Sequence, residues 1–248
     1  MFGVGDMLRK VSIAFGLVVA LAFSMTATAQ DAKVQKAEAV TVTESLHFLS
    51  YVPGPAKVED TRNADGKWPL IIFLHGSGER GSNLDMVKVH GPPKIVEGKP
   101  LPFIVLSPQC PSGRRWVVEH LATLLDDAIK RYPVDPKRVY LTGLSMGGFG
   151  TFDFAAAYPK RLAAIVPICG RGEASSAERF KDVPCWVFHG ALDEAVPLID
   201  SAKMVAALKK AGGSPKFTIY PEAAHDCWTE TYNNPELYKW LLQQKLPD

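Results

Sequence analysis

Ten residues, Val139-Tyr140-Leu141-Thr142-Gly143-Leu144-Ser145-Met146-Gly147-Gly148, restrict the possible folds of this chain more than any other stretch. A β-branched and aromatic run leads into Gly-x-Ser-x-Gly, and Phe149 to Tyr158 (FGTFDFAAAY) follows with helical character. The reading is strand, sharp turn, helix. Such a turn holds its central residue in a strained backbone, and only glycine at 143 and 147 lets strand and helix close around it. Ser145 then projects from the carboxyl edge of a sheet. The helix start behind it offers backbone N–H groups to a developing negative charge. A plain turn is the alternative for an isolated Gly-x-Ser-x-Gly, so the flanking chain decides.

That flanking chain alternates apolar strands with amphipathic helices. Pro69–Leu74 and Phe103–Leu106 are continuous apolar runs, as strands buried on both faces require. Leu162–Ile168, Pro184–His189 and Phe217–Tyr220 read as further strands, and Thr41–Tyr51 reads as an edge strand. Val117–Arg131 carries Leu121, Leu124, Leu125 and Ala128 on one helical stripe, and Leu198–Ala211 and Pro235–Gln244 are the other clear helices. Gln30–Val40 is polar and alanine-rich and reads as a loose leader. The pattern predicts an α/β fold with a mostly parallel central sheet flanked by helices, and the short loops leave little room for a lid.

A serine hydroxyl needs a base to become a nucleophile. On a sheet of this kind the chain order is serine, acid, histidine. Of six histidines, only His189 and His225 follow Ser145. His189 ends a strand and leaves little chain for an intervening acid. His225 lies in the loop after the last strand and is the candidate base. Asp193 lies just past the carboxyl end of strand 184–189 and is the candidate acid, with the adjacent Glu194 as its rival. Asp153, Asp182 and Asp200 fall within helices or at the wrong end of a strand. The Gly-rich loop His75-Gly76-Ser77-Gly78-Glu79-Arg80-Gly81 lacks the Gly-Lys-Ser/Thr ending of a phosphate loop. It suits half of an oxyanion hole, with the Ser77 N–H (or that of Gly76 or Gly78) beside the Met146 N–H. His75 is read as fixing this loop. Glu79 and Arg80 are read as a loop ion pair rather than as ligands for a polar substrate end. Trp116 and Trp228 are candidate pocket walls, and core or rim packing is the competing reading.

Composition is that of a globular chain, 47% hydrophobic and 22% charged over 248 residues. A net charge of +2 implies no field for nucleic acid. The first 29 residues differ: Arg9-Lys10, an uncharged apolar run Val11–Phe23, then Ala27-Thr28-Ala29. This reads as a secretory signal cleaved after Ala29, leaving 30–248 as the catalytic domain. Its thirteen apolar residues fall short of the ~18–20 needed to span a bilayer, so no stable membrane insertion follows cleavage. The expected location is periplasmic or extracellular. Cys110, Cys169, Cys185 and Cys227 include no Cys-x-x-Cys pair, so no metal site is expected. Their pairing stays open, although Cys185 reads as a core filler.

With LHGSGERG (74–81), SPQCP (107–111), YLTGLSMGGFGT (140–151), FHGALDEAVP (188–197) and YPEAAHDCWTETY (220–232), the chain resembles small single-domain α/β-hydrolase esterases. These are the dienelactone-hydrolase-like, feruloyl-esterase-like and phospholipase/carboxylesterase-like proteins, some carried under a "predicted peptidase" label. The likeness runs over roughly residues 41–245. It implies an α/β-hydrolase fold and a nucleophile, acid and base at Ser145, Asp193 and His225. It also implies hydrolysis of carboxylic esters, small or polysaccharide-linked, without metal or organic cofactor. Cys227, close to the base, departs mildly from the pattern. A serine peptidase and a non-catalytic binding module on the same scaffold are the competing readings. Oligomeric state is not legible.

Overall fold

The computed structural model describes residues 35–41, 45–54 and 58–247. The leader read as a secretory signal lies outside these residues. The elements in chain order are β1 (Lys36–Thr41), β2 (Ser45–Tyr51), β3 (Trp68–Leu74), α1 (Gly91–Gly98), β4 (Ile104–Pro108), α2 (Val118–Arg131), β5 (Val134–Leu144) and α3 (Met146–Ala157). They continue with β6 (Ala164–Ile168), α4 (Ala177–Phe180), β7 (Trp186–Gly190), α5 (Leu198–Lys210), β8 (Lys216–Tyr220), α6 (Trp228–Asn233) and α7 (Pro235–Leu242).

One eight-stranded sheet runs β1-β2-β4-β3-β5-β6-β7-β8. From β4 to β8 every pairing is parallel, while β2 pairs antiparallel with both β1 and β4. Period-two alternation sorts the central strands onto two cores. Leu70, Ile72 and Leu74 face the layer of α2, α3 and α5, meeting Leu124, Phe152, Phe154, Met204 and Leu208. Ile71 and Phe73 face the opposite layer, where Val96 of α1, Tyr232 of α6, and Leu237 and Leu241 of α7 cover them. Because both faces are covered, β3 is buried at every position, which is why it reads as an unbroken apolar run. No helix among the described residues is long and apolar enough to cross a membrane.

Three readings need correction. Lys36–Thr41 is a strand, not a loose leader, and it forms the outer edge of the sheet, so that β2, read as the edge strand over 41–51, is an inner strand paired with both β1 and β4. An edge strand pairs on one side only and needs no apolar face, so β1 carries no sequence signature of a strand. It is tied down instead through Glu38, which accepts hydrogen bonds from Ser50 (2.8 Å), Arg131 and Tyr132. Nothing in the sequence pattern marks α1, α4 or α6 as helices. Pro92 and Pro93 look like loop punctuation, yet they sit in the first turn of α1, where proline's missing N–H costs nothing. The third is the loop after β3. Arg80 makes no ion pair with Glu79: its Nε donates to Ser77 O at 2.9 Å and its Nη1 to Arg114 O at 3.2 Å. Glu79 turns inward, with Oε2 buried and without a hydrogen bond, 3.8 Å from His75 Nδ1.

Candidate active site

Ser145 sits between β5 and α3 at φ 52°, ψ −118°, a left-handed backbone for a residue with a Cβ. Tight packing holds it there. A Cβ on Gly147 would fall 1.9 Å from Leu74 O, and one on Gly143 would fall 2.4 Å from Gly147 O. The Ser145 N–H donates to Ile168 O at the end of β6 (2.9 Å), and its carbonyl accepts from the Phe149 N–H (3.1 Å). Glycine is thus obligatory on both sides for steric reasons, and the turn stores strain of order 1–3 kcal/mol.

His225 reaches this serine from the loop after β8. Its Nε2 lies 2.9 Å from Ser145 Oγ, and its Nδ1 lies 2.7 Å from Asp193 Oδ2. A carboxylate only accepts, so Nδ1 carries the proton and Nε2 is free to take one from the serine. The loops that carry Asp193 and His225 are joined to each other. Ala191 N–H donates to Tyr220 O and Leu192 N–H to Ala223 O, and a Cβ on Gly190 would strike Ala224 O at 2.1 Å.

The Asp193 side chain is fully buried. Its Oδ1 accepts from the Ala195 and Val196 N–H groups at 2.9 and 2.8 Å, which orients Oδ2 toward His225. Sequence reasoning passed over a further neighbour, His189. Its Nε2 lies 3.2 Å from Asp193 Oδ2 and 2.8 Å from Val196 O, and its Nδ1 lies 2.8 Å from Ser201 Oγ. His189 therefore braces the loop that carries Asp193. Glu194, the rival acid, is exposed.

Ser77 and Met146 both line the cavity above Ser145. Each is the first residue of a helical turn, where N–H groups have no intrahelical acceptor. The Gly76 loop is held by His75: its Nδ1–H donates to Gly76 O (2.6 Å), its Nε2 accepts from the Cys110 N–H (2.9 Å), and its carbonyl accepts from Trp116 Nε1 (3.2 Å). Burial pushes the His75 imidazole down to about 4, and nearby Arg80 acts in the same direction.

The cavity is about 520 Å³, and Met146, Phe149, Val196 and Pro197 form its apolar wall. Neither candidate tryptophan is part of that wall. Trp116 packs against Gly150 beneath the His75 loop. Trp228 stands edge-on to His225 at 5.1 Å and lines a separate 300 Å³ cavity beside His90. All four cysteines are free and buried. Cys169, at φ 39°, places its sulfur within 4.8 Å of the ligating atoms of Asp193 and His225. Burial, with a hydrogen bond to Cys227, pushes its thiol well above the usual range, which keeps it protonated.

The phospholipase/carboxylesterase family model matches residues 115–235. The bifunctional acetylxylan esterase/xylanase XynS20E of Neocallimastix patriciarum is 28% identical over 52% of this chain and 20% of its own length. Carboxylesterase SOBER1 of Arabidopsis thaliana is 30% identical over 50% of this chain and 57% of its own. The matches thus span about a fifth and just over half of these relatives. Among solved structures, a thermostable esterase superposes with a TM-score of 0.71 at 31% identity, covering 85% of this chain and 63% of that one. The chain has the α/β-hydrolase fold, and its resemblances lie with the phospholipase/carboxylesterase group of esterases.

Proposed function

We propose that this chain is an exported serine esterase that hydrolyses carboxylic esters through Ser145, His225 and Asp193. The observation that carries the reading is the continuous relay from Ser145 Oγ through the His225 ring to a buried carboxylate, at 2.9 and 2.7 Å. Ser145 Oγ attacks the ester carbonyl while His225 Nε2 takes its proton. Asp193 holds the tautomer and stabilises the imidazolium. The Met146 and Ser77 N–H groups receive the tetrahedral oxyanion. His225 then protonates the leaving alcohol. Water, activated by the same nitrogen, attacks the acyl-enzyme and releases the acid and free Ser145. Each step uses side chains and backbone of residues 30–248, proposed as the catalytic domain, and calls on no cofactor. The substrate is a small or polysaccharide-linked ester. The leader, Arg9-Lys10 followed by an apolar run and Ala27-Thr28-Ala29, supports export to the periplasm or beyond.

The test is hydrolysis of p-nitrophenyl acetate through octanoate, methyl ferulate and a peptidyl anilide by residues 30–248, with Ser145→Ala as control. Ester turnover lost in the variant is the expected result. Anilide cleavage without ester turnover would make the chain a peptidase. Equal rates for both proteins on every substrate would leave a binding module.

A further inference from the structure

Three arginines, Arg80, Arg115 and Arg171, and one acidic residue, Asp200, line the Ser145 cavity. The three arginines come from separate loops and Asp200 from the first turn of α5. Arg80 is held in place by the carbonyls of Ser77 and Arg114. Arg171 follows β6, and its guanidinium lies 5.1 Å from the ring centre of Phe149, one helical turn beyond Ser145. Arg115 is exposed beside them. The acidic group that senses both Arg115 and Arg171 is Asp153 on α3, whose carboxyl burial pushes up against their pull. Neither arginine closes an ion pair with Asp153, Asp200 or any other described carboxylate.

Three like charges around one cavity repel each other, and an uncharged acyl or alcohol group does nothing to relieve that. Guanidinium forks match the oxygens of a carboxylate or phosphate and hold them in two parallel hydrogen bonds. Met146 and Phe149 line the same cavity as Ser145 and the arginines, and the Phe149 ring lies next to the Arg171 guanidinium. A cavity with both linings suits a substrate with a short apolar spacer between its ester and a charged end. We infer that the ester taken at Ser145 carries an oxyanion, such as a carboxylate, a few bonds from the scissile carbonyl, and that Arg115 and Arg171 select it. This rests on the esterase reading and narrows it from carboxylic esters in general to anionic ones.

The experiment compares matched pairs. On the acyl side, 4-nitrophenyl hydrogen adipate is set against 4-nitrophenyl hexanoate. On the alcohol side, 4-acetoxybenzoate is set against its methyl ester. Ser145→Ala provides the blank throughout. In at least one pair the anionic member should have a kcat/KM about tenfold higher at low salt, mostly through KM, with the ratio falling toward one in about 0.5 M NaCl. The ratio should also fall toward one in the Arg115→Gln/Arg171→Gln protein and recover in part in Arg115→Lys/Arg171→Lys. The pair that responds tells which side of the ester bears the charge. Ser145-dependent turnover with the neutral member equal or better in both pairs overturns the charge inference and leaves the esterase reading intact. A preference that survives the glutamine variant unchanged also overturns it. No Ser145-dependent turnover of any of the four esters removes the esterase reading and this inference together.

Discussion

Replacing Asp193 with asparagine changes one oxygen to an amide nitrogen, and the structure dictates how the new side chain must sit. Oδ1 accepts two backbone hydrogen bonds, from Ala195 at 2.9 Å and Val196 at 2.8 Å. If the amide nitrogen faced those groups, the buried Val196 N–H would lose its acceptor, at about 1–3 kcal/mol, and the part-buried Ala195 N–H would lose one as well. The amide oxygen therefore stays on the backbone and the NH₂ turns toward His225 Nδ1. That nitrogen must then accept, so the ring proton moves to Nε2, opposite Ser145 Oγ, where the base was. The fold survives and the tautomer is wrong. The same substitution in a Ser-His-Asp protease lowers turnover about 10⁴-fold. With the flipped side chain disfavoured in this way, we expect kcat/KM to fall about 10³- to 10⁴-fold, or about 4–5.5 kcal/mol of transition-state stabilisation. The assay is p-nitrophenyl ester hydrolysis, with near-UV circular dichroism to confirm native packing. A natively packed variant within tenfold of the parent would refute the assignment of Asp193 as orienting acid.

Gly147→Ala would set a Cβ 1.9 Å from Leu74 O, a contact that no rotamer relieves; urea unfolding should show a loss of about 3 kcal/mol or more. Stability should also depend on His75. Its folded pKa of about 4 lies below the ordinary value near 6.5, despite the Glu79 carboxylate 3.8 Å away, so between these values the unfolded chain binds more protons. The contribution is complete above about pH 6.5 and is lost as pH falls toward about 4, roughly 3 kcal/mol in all; this arm of the urea-derived stability profile should flatten in His75→Asn. The cysteines should resist thiol reagents in the native state, because burial raises Cys110 to about 11 and raises Cys169 and Cys185 as well. In guanidinium chloride all four should titrate as free thiols, and a shortfall would reveal a disulfide.

The central sheet was legible because β3 to β8 are short-range features: apolar runs of strand length, each closed by a turn or helix signal. The meeting of Ser145, Asp193 and His225 was legible for a related reason. Parallel strands joined by helices put all their carboxyl ends on one edge, so chain order and strand end together fix which loops converge. Other features depend on partners distant in sequence and were not legible. β1 is a strand only because β2 offers it an edge and Arg131 and Tyr132 bind its Glu38. Trp116 and Trp228 had the right chemistry for a pocket wall, but packing on Gly150 and against His90 put them behind the site and left Phe149 in front. Arg80 and Glu79, adjacent in the chain, turn apart because carbonyls of Ser77 and Arg114 claim the guanidinium. His189 reads from sequence as a strand terminus, and its place against Asp193 follows from how the 191–197 loop folds back. Local periodicity and chain connectivity make the parallel strands, the long helices and the convergence of their loop ends readable from the chain alone. Only the tertiary structure decided which side chains face the cavity and with what charge, because a rotation of a few tens of degrees in a loop moves a guanidinium from solvent to substrate without changing the pattern of the chain.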